Sequence, residues 1–193
     1  MTQTAIHYLI VPGWQNSPAD HWQSHWQQCL PNARRVEQDD WFMPQPQAWV
    51  QRLDEAVRAA PGTLVLIAHS LGCVTLARWA AQADAQTLAR IGGALLVAPA
   101  DVERSNCPPP LRGFAPIASE ALPFPSLLVG SDNDPAASAQ RALQLARDWG
   151  SEAVLLTGAG HINRQSGFDR WEQGFAYLYR LQRRIEQAGR LRA

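Results

Sequence analysis

Ser70 lies in a pattern that is typical of an activated serine. The segment Ala68-His69-Ser70-Leu71-Gly72 has a small residue two positions before the serine and another two positions after it. An apolar run precedes the segment, and helical spacing follows it. Small residues at these positions let a strand and a helix approach closely, so that a tight turn can present the hydroxyl as a nucleophile. The alternative is that Ser70 only caps the helix, as serines often do.

A serine hydroxyl needs a neighbouring base to become a good nucleophile, and His161 is the candidate. It follows the last apolar run, in a loop that contains glycines. We expect that run to form a strand next to the strand of the serine. The base also needs a carboxylate that fixes its tautomer, and Asp132 and Asp134 both follow the preceding apolar run. We favour Asp134, because the proline after it restricts it to extended conformations; Asp132 is the alternative.

These residues must be positioned by regular elements, and the chain alternates between two kinds of pattern. Short apolar runs that end at Gly, Pro or a small polar residue indicate strands buried on both faces. They cover residues 6–11, 64–68, 94–98, 127–129 and 153–156, with a weaker run near 33–36. Helical spacing covers residues 18–29, 46–59, 71–83, 136–149 and 169–188. The first helix is expected to carry Trp22, Trp26 and Cys29 on one face, with the two tryptophans in the core or in a pocket wall, and the last to carry Trp171.

This alternation predicts a single three-layer α/β domain over residues 1–193, with a mostly parallel sheet of about six strands and helices on both faces. In such sheets, ligands bind beyond the carboxyl ends of the strands. Ser70, Asp134 and His161 all follow apolar runs, in the chain order of nucleophile, acid and base that α/β-hydrolases show. The proline-rich segment 101–125 is too short to form a second domain. It either contributes to a substrate pocket or is only a connection.

Two backbone N–H groups are candidates for stabilising an oxyanion. Leu71 starts the predicted helix after the serine, where N–H groups are unpaired and the helix dipole favours negative charge. Trp14 follows Pro12-Gly13 at the end of the first apolar run. In this class of fold, the loop after an early strand supplies the second donor. The alternative is that Pro-Gly only ends the strand and that Trp14 packs against other residues.

Composition and charge argue against several classes of partner. Lys plus Arg and Asp plus Glu both number 17, so the formal net charge is zero and nothing favours nucleic acid. No apolar run approaches the ~20 residues needed to cross a bilayer, and the N-terminal stretch lacks the basic region of a signal peptide. We therefore predict no membrane partner and a cytoplasmic location. The three widely spaced cysteines suggest neither a disulfide framework nor a metal site, which fits a reducing compartment.

One further pair of residues has the spacing of metal ligands. His21 and His25 lie four positions apart on the first predicted helix, which would place them on one face. No third ligand is evident at a suitable position. We therefore predict no metal, and the proposed chemistry needs no organic cofactor.

Five segments together resemble the small serine hydrolases of the RBBP9/YdeN type. They are Val11-Pro12-Gly13-Trp14, Ser17 with His21-Trp22, Ala68-His69-Ser70-Leu71-Gly72, Asn133-Asp134-Pro135, and Gly160-His161-Ile162-Asn163. The resemblance extends over nearly the whole chain. It implies an α/β-hydrolase core with little or no lid and a catalytic triad of Ser70, Asp134 and His161, which supports Asp134 over Asp132. The physiological substrates of these hydrolases are poorly defined.

The expected activity is transfer of an acyl group to water, with small carboxylic esters as substrates, because a short chain without an evident large lid offers a shallow site. Amides, thioesters and peptides remain alternatives. A protein that keeps the fold but only binds a partner is a rival interpretation, although a complete triad argues against it. A nucleotide-binding protein is another, but the first loop has only one glycine. The oligomeric state is left open by the sequence.

Overall fold

A six-stranded sheet runs through the part of the chain that the computed structural model describes, residues 6–191. Its strands are β1 (Ile6–Val11), β2 (Ala33–Arg35), β3 (Thr63–His69), β4 (Ile91–Val97), β5 (Ser126–Ser131) and β6 (Glu152–Leu156). Their order in space is β2-β1-β3-β4-β5-β6, and every pair of neighbours is parallel. The carboxyl ends of all these strands therefore lie at one edge of the sheet. The single domain over 1–193 stays a prediction, since residues 1–5 and 192–193 lie outside the described chain.

Helices cover both faces of the sheet. They are α1 (Trp22–Cys29), α2 (Pro46–Ala59), α3 (Leu71–Ala80), α4 (Ala85–Leu88), α5 (Ala139–Asp148) and α6 (Phe175–Leu191). Successive side chains of a strand point to opposite faces. Leu64 and Leu66 of β3 accordingly pack in one apolar core with residues of α2, α3 and α5, whereas Val65 and Ile67 pack in a second core with residues of α1 and α6. The predicted three-layer α/β-hydrolase architecture is thus confirmed.

The structure differs from the predicted helices at several ends. The first begins at Trp22 rather than at 18, the third ends at Ala80 rather than at 83, and the fourth covers 139–148 rather than 136–149. The last helix begins at Phe175 rather than at 169, because Trp171 has a left-handed backbone (φ 44°, ψ 55°) that an α-helix cannot include. Trp22 and Trp26 are buried, whereas Cys29 is exposed. The four-residue helix α4 was not predicted, since one turn is too short to show a hydrophobic period.

The proline-rich segment 101–125 packs on the side of the sheet that α2 and α3 cover. It contains a short 3₁₀ helix, Pro109–Phe114. Leu111, Phe114 and Ile117 join the apolar core formed with α2 and α3. The segment is therefore a connection with its own apolar contacts. Within residues 6–191, no helix is both long enough and apolar enough to cross a bilayer.

Close contact between β1 and α3 brings the first loop of the chain to the serine turn. Gly72, in the first turn of α3, lies against the end of β1. A Cβ atom at this position would lie 2.4 Å from the Val11 carbonyl oxygen and 2.7 Å from that of Pro12. Both neighbours are backbone atoms, which cannot move aside as the end of a flexible side chain can. The approach of helix to strand therefore requires glycine here.

We expect Gly72→Ala to lower the free energy of unfolding by about 1–3 kcal/mol, because the methyl group forces α3 away from β1. Urea denaturation measures the change. Gly113→Ala is the matched control, since its Cβ would meet only the Pro46 side chain, at 3.6 Å. Equal stability of the two variants would contradict the packing argument.

Candidate active site

Ser70 occupies the tight turn between β3 and α3 with a strained backbone. Its φ of 54° and ψ of −122° lie outside the regions that non-glycine residues usually adopt. Hydrogen bonds hold this conformation: the Ser70 N–H donates to the Val97 carbonyl oxygen (3.0 Å), and the Ser70 carbonyl oxygen accepts from the N–H groups of Cys73 (3.0 Å) and Ala100 (3.3 Å). The side chain makes no capping hydrogen bond to α3. The hydrogen bond that a purely capping role of Ser70 requires is therefore absent.

His161 lies between Ser70 and Asp134. Its Nε2 atom is 2.9 Å from Ser70 Oγ, and its Nδ1 atom is 2.9 Å from each carboxylate oxygen of Asp134. The Asp134 side chain is only 3% exposed, and its Oδ1 also accepts the Ala136 N–H at 2.7 Å. A carboxylate in this position favours the tautomer that carries a proton on Nδ1, which leaves Nε2 free to accept the serine proton.

The loop that carries His161 crosses a longer distance than the sequence suggested. Strands β4 and β5 separate β6, which precedes His161, from β3, which precedes Ser70, so the expectation of neighbouring strands was wrong. Three consecutive side chains at the end of β5 hold the loop by its backbone. The pairs are Asp132 Oδ1 with Gly158 N–H (2.8 Å), Ser131 Oγ with Ala159 N–H (3.0 Å) and Asn133 Oδ1 with Gly160 N–H (2.7 Å). Asp132 thus supports the loop and does not contact the imidazole of His161.

Two aromatic side chains hold the same loop from the other side. The Trp22 indole N–H donates to the Ile162 carbonyl oxygen at 2.9 Å. His69, which precedes the serine, has its Nε2 2.9 Å from the carbonyl oxygen of His161. Because a carbonyl only accepts, the proton of the neutral His69 ring lies on Nε2. These supporting roles were not predicted, since they depend on contacts between residues more than 90 positions apart.

The two candidate oxyanion donors come together at the serine. Gly13 packs on the turn so closely that a Cβ atom there would lie 2.7 Å from Ser70 Cβ and 3.2 Å from the Leu71 nitrogen. Trp14, the next residue, lines the same cleft as Ser70. Within residues 6–191, neither the Leu71 N–H nor the Trp14 N–H donates to another protein group. The Trp14 indole instead donates to the Phe42 carbonyl oxygen, at 3.0 Å.

A cleft of about 470 Å³ opens above Ser70. Its lining residues are Trp14, Gln15, Asn16, Pro18, His21, His69, Ser70, His161, Asn163, Arg164 and Gln165. None of them belongs to segment 101–125, so that segment does not form a wall of this cleft. In the described part of the chain, no group of three or more His, Cys, Asp or Glu side chains has the arrangement of a metal site. His21 and His25 do not converge, because His21 caps α1 whereas His25 lies beside Cys29.

His21 is a buried histidine whose environment disfavours its charged form. Burial is the main cause that lowers the pKa of His21 from 6.5 to about 4, and the positive charges of Arg35 and of protonated His161 act in the same direction. Burial likewise holds the pKa of His69 well below its ordinary value, with His161 and His21 adding to the effect. Both rings are therefore neutral near neutral pH.

The lowered pKa of His21 predicts a loss of stability in acid. Between pH 6.5 and about pH 4, His21 is protonated in the unfolded chain but remains neutral in the folded protein. The free energy of unfolding therefore falls as the pH falls through this range. The contribution of His21 amounts to roughly 3 kcal/mol. We expect His21→Asn to lose less stability than the wild type between about pH 7 and about pH 4.5, as measured by urea unfolding. An unchanged slope would contradict this.

Comparisons with known proteins indicate the family of this chain. A family model described as serine hydrolase matches residues 8–180. A solved protein from Pectobacterium atrosepticum, described as a YdeN-like hydrolase, is 32% identical, with 93% of this chain and 92% of that chain covered and a TM-score of 0.81. The ydeN gene product of Bacillus subtilis is 18% identical (92% and 98% covered, TM-score 0.73). An esterase from Thermogutta terrifontis is 16% identical (95% and 92% covered, TM-score 0.67).

No curated protein matches the chain. The family match nevertheless extends over most of its length, and the Pectobacterium protein is similar over nearly all of both chains. The resemblance to YdeN-type hydrolases, inferred from five short segments, is thereby confirmed, and so is the prediction of a hydrolase. The chain belongs to the serine hydrolase family and has the α/β-hydrolase fold.

Proposed function

We propose that this protein hydrolyses small carboxylic esters through an acyl-enzyme on Ser70. The observation that carries the proposal is the continuous set of 2.9 Å contacts from Ser70 Oγ to His161 and from His161 to Asp134. This is the arrangement in which a serine hydroxyl becomes a nucleophile.

In the first half of the proposed reaction, Ser70 Oγ attacks the ester carbonyl carbon while His161 Nε2 takes its proton. The carbonyl oxygen becomes an oxyanion, which accepts hydrogen bonds from the N–H groups of Leu71 and Trp14. Asp134 stabilises the imidazolium that forms. The tetrahedral intermediate then expels the alkoxide, which takes the proton from His161 Nε2 and leaves as an alcohol.

In the second half, water attacks the carbonyl carbon of the acyl-enzyme. His161 Nε2 takes a proton from that water, and the same two N–H groups hold the second oxyanion. The intermediate collapses with Ser70 Oγ as the leaving group. The proton returns from His161 to Ser70, and the carboxylic acid departs. Each step is proton transfer or acyl transfer, so the cycle is complete with the side chains of the site and one water molecule.

Two further observations favour esters as the substrate class. The similar structures include the Thermogutta esterase and the protein Est1E of Butyrivibrio proteoclasticus, which was solved with ferulic acid and has 13% identity and a TM-score of 0.69. The cleft is also open beside Ser70, with no wall from segment 101–125. An open site lets a small ester reach Ser70 and lets water reach the acyl-enzyme.

The first test is labelling of the serine. A fluorophosphonate probe is expected to label the wild type at Ser70, and Ser70→Ala and His161→Ala are each expected to abolish the labelling, because one removes the nucleophile and the other its base. Circular dichroism and thermal melting check that the variants are folded. A folded wild type that resists the probe and releases no acid from simple esters would overturn the proposal in favour of a binding protein with the same fold.

The second test separates the two aspartates. We expect Asp134→Asn to lower kcat for ester hydrolysis by about 10⁴-fold, because the tautomer of His161 is then wrong. Asp132→Asn is the matched control, since its amide oxygen can still accept the Gly158 N–H. It should retain most of the wild-type rate. The opposite ranking of the two variants would show that the acid has been assigned to the wrong residue.

A further inference from the structure

The lining of the cleft indicates what kind of ester fits it, an inference that rests on the proposed function. We propose that His21 binds substrate by donating a hydrogen bond from Nε2, and that the site prefers esters that carry an additional oxygen outside the reacting ester group. That oxygen is a carbonyl or ether oxygen that accepts the bond, on either side of the scissile bond.

The hydrogen bonds of His21 determine which of its nitrogens carries the proton. His21 caps helix α1, and its Nδ1 accepts the Gln23 N–H at 3.1 Å. A neutral imidazole has one donor and one acceptor nitrogen. Since Nδ1 is the acceptor, Nε2 carries the proton. The helix cap therefore fixes the tautomer of this ring.

The Nε2–H group of His21 is available to a ligand. The residue is only 4% exposed, yet it lines the cleft together with Ser70 and His161. Among the described residues, Nδ1 has its partner in Gln23, whereas Nε2 has no hydrogen-bond partner. Nε2 is not fully buried, so it can be reached from the cleft. An acceptor oxygen on a bound substrate would take this donor, whereas an alkyl group in the same place would cover it and leave it without a partner, which is costly.

Two asparagines give the cleft the same donor character. Asn16 Oδ1 accepts from the Ser17 N–H (2.7 Å) and from Arg35 (2.8 Å), and Asn163 Oδ1 accepts from the N–H and the hydroxyl of Ser166 (both 3.1 Å). The carbonyl oxygens of both amides are thus occupied within the protein. Their NH₂ groups, which can only donate, are what each amide has left for a ligand.

Apolar contacts in the cleft are few. Only Trp14 and Pro18 among its lining residues are apolar, whereas small-molecule sites are usually lined mainly by hydrophobic side chains. A long alkyl or aromatic acyl group would therefore pack largely against the carbon atoms of polar side chains and would cover their donors. An oxygen-bearing group would meet several donors that are already fixed in place.

Two pairs of esters of nearly equal shape test the preference. The acyl pair is ethyl levulinate and ethyl pentanoate, in which a keto group replaces a methylene. The alcohol pair is methoxyethyl acetate and butyl acetate, in which an ether oxygen replaces a methylene. The rate of acid release in a pH-stat gives kcat/KM for each ester. The ratio within each pair is compared between protein variants, so that differences in intrinsic reactivity cancel.

We expect His21→Asn to reduce the preference for the oxygen-bearing ester about tenfold in at least one pair, as for the loss of one hydrogen bond. The lower kcat/KM for the oxygen-bearing ester should appear mainly as a higher KM, because the hydrogen bond to His21 exists both in the bound substrate and in the transition state. Asparagine is a good helix cap, so α1 is retained while Nε2 is removed. His21→Phe, which keeps a ring without the donor, should show the same loss.

His25→Asn is the matched control, on the same helix but outside the cleft, and should keep the wild-type ratios. Fluorophosphonate labelling distinguishes a failure of the inference about His21 from a failure of the proposed hydrolase activity. If the wild type is labelled and hydrolyses these esters, but the ratios do not change with His21, the inference about His21 is wrong and the proposed hydrolase remains. If the wild type is not labelled by the probe and does not hydrolyse these esters, the inference about His21 and the proposed function are both wrong.

Discussion

The position of His161 over Ser70 is the constraint on which the rest of the site depends. His161, the proposed base, follows the outermost strand β6, and two strands lie between β6 and the strand that precedes Ser70. Such a distance can be crossed only by a loop, and loops are usually the mobile parts of a protein. Here each of five side chains makes a hydrogen bond to one backbone group of that loop. They are the side chains of residues 131–133, Trp22 and His69. The 2.9 Å contact at the serine depends on these hydrogen bonds.

The serine turn is held by a different kind of contact. Gly13 and Gly72 leave no room for a side chain, so the backbones of β1, the first loop and α3 approach closely at these two points. The strained φ of Ser70 persists because its own N–H and carbonyl groups are both bonded. Ser70 and His161 thus depend on separate parts of the fold. The position of Ser70 depends on close packing, and the position of His161 depends on a network of polar side chains.

The sequence predicted the parts of this structure that follow from local pattern. The strands coincide with apolar runs, and most of the helices coincide with stretches of helical spacing. Ser70, Asp134 and His161 follow apolar runs, and a parallel sheet brings the carboxyl ends of its strands to one side. The supports of His161 were not predictable in the same way. Ser131 and Asn133 resemble ordinary turn residues, and Trp22 resembles a core tryptophan, until the loop from β6 is known to pass beside them. The start of α6 was missed because a left-handed Trp171 leaves the helical spacing undisturbed.

The row of side chains at the end of β5 has a consequence for how such a site can vary during evolution. Residues 131–133 contact three successive N–H groups, and the next residue, Asp134, contacts His161 itself. Residues 131–134 and residues 158–161 therefore contact one another along their whole length. A conservative replacement at one position disturbs one contact, whereas a single deletion or insertion in either segment displaces all of them at once. A change in the length of either segment would therefore disrupt the site more than a conservative replacement of any one supporting residue.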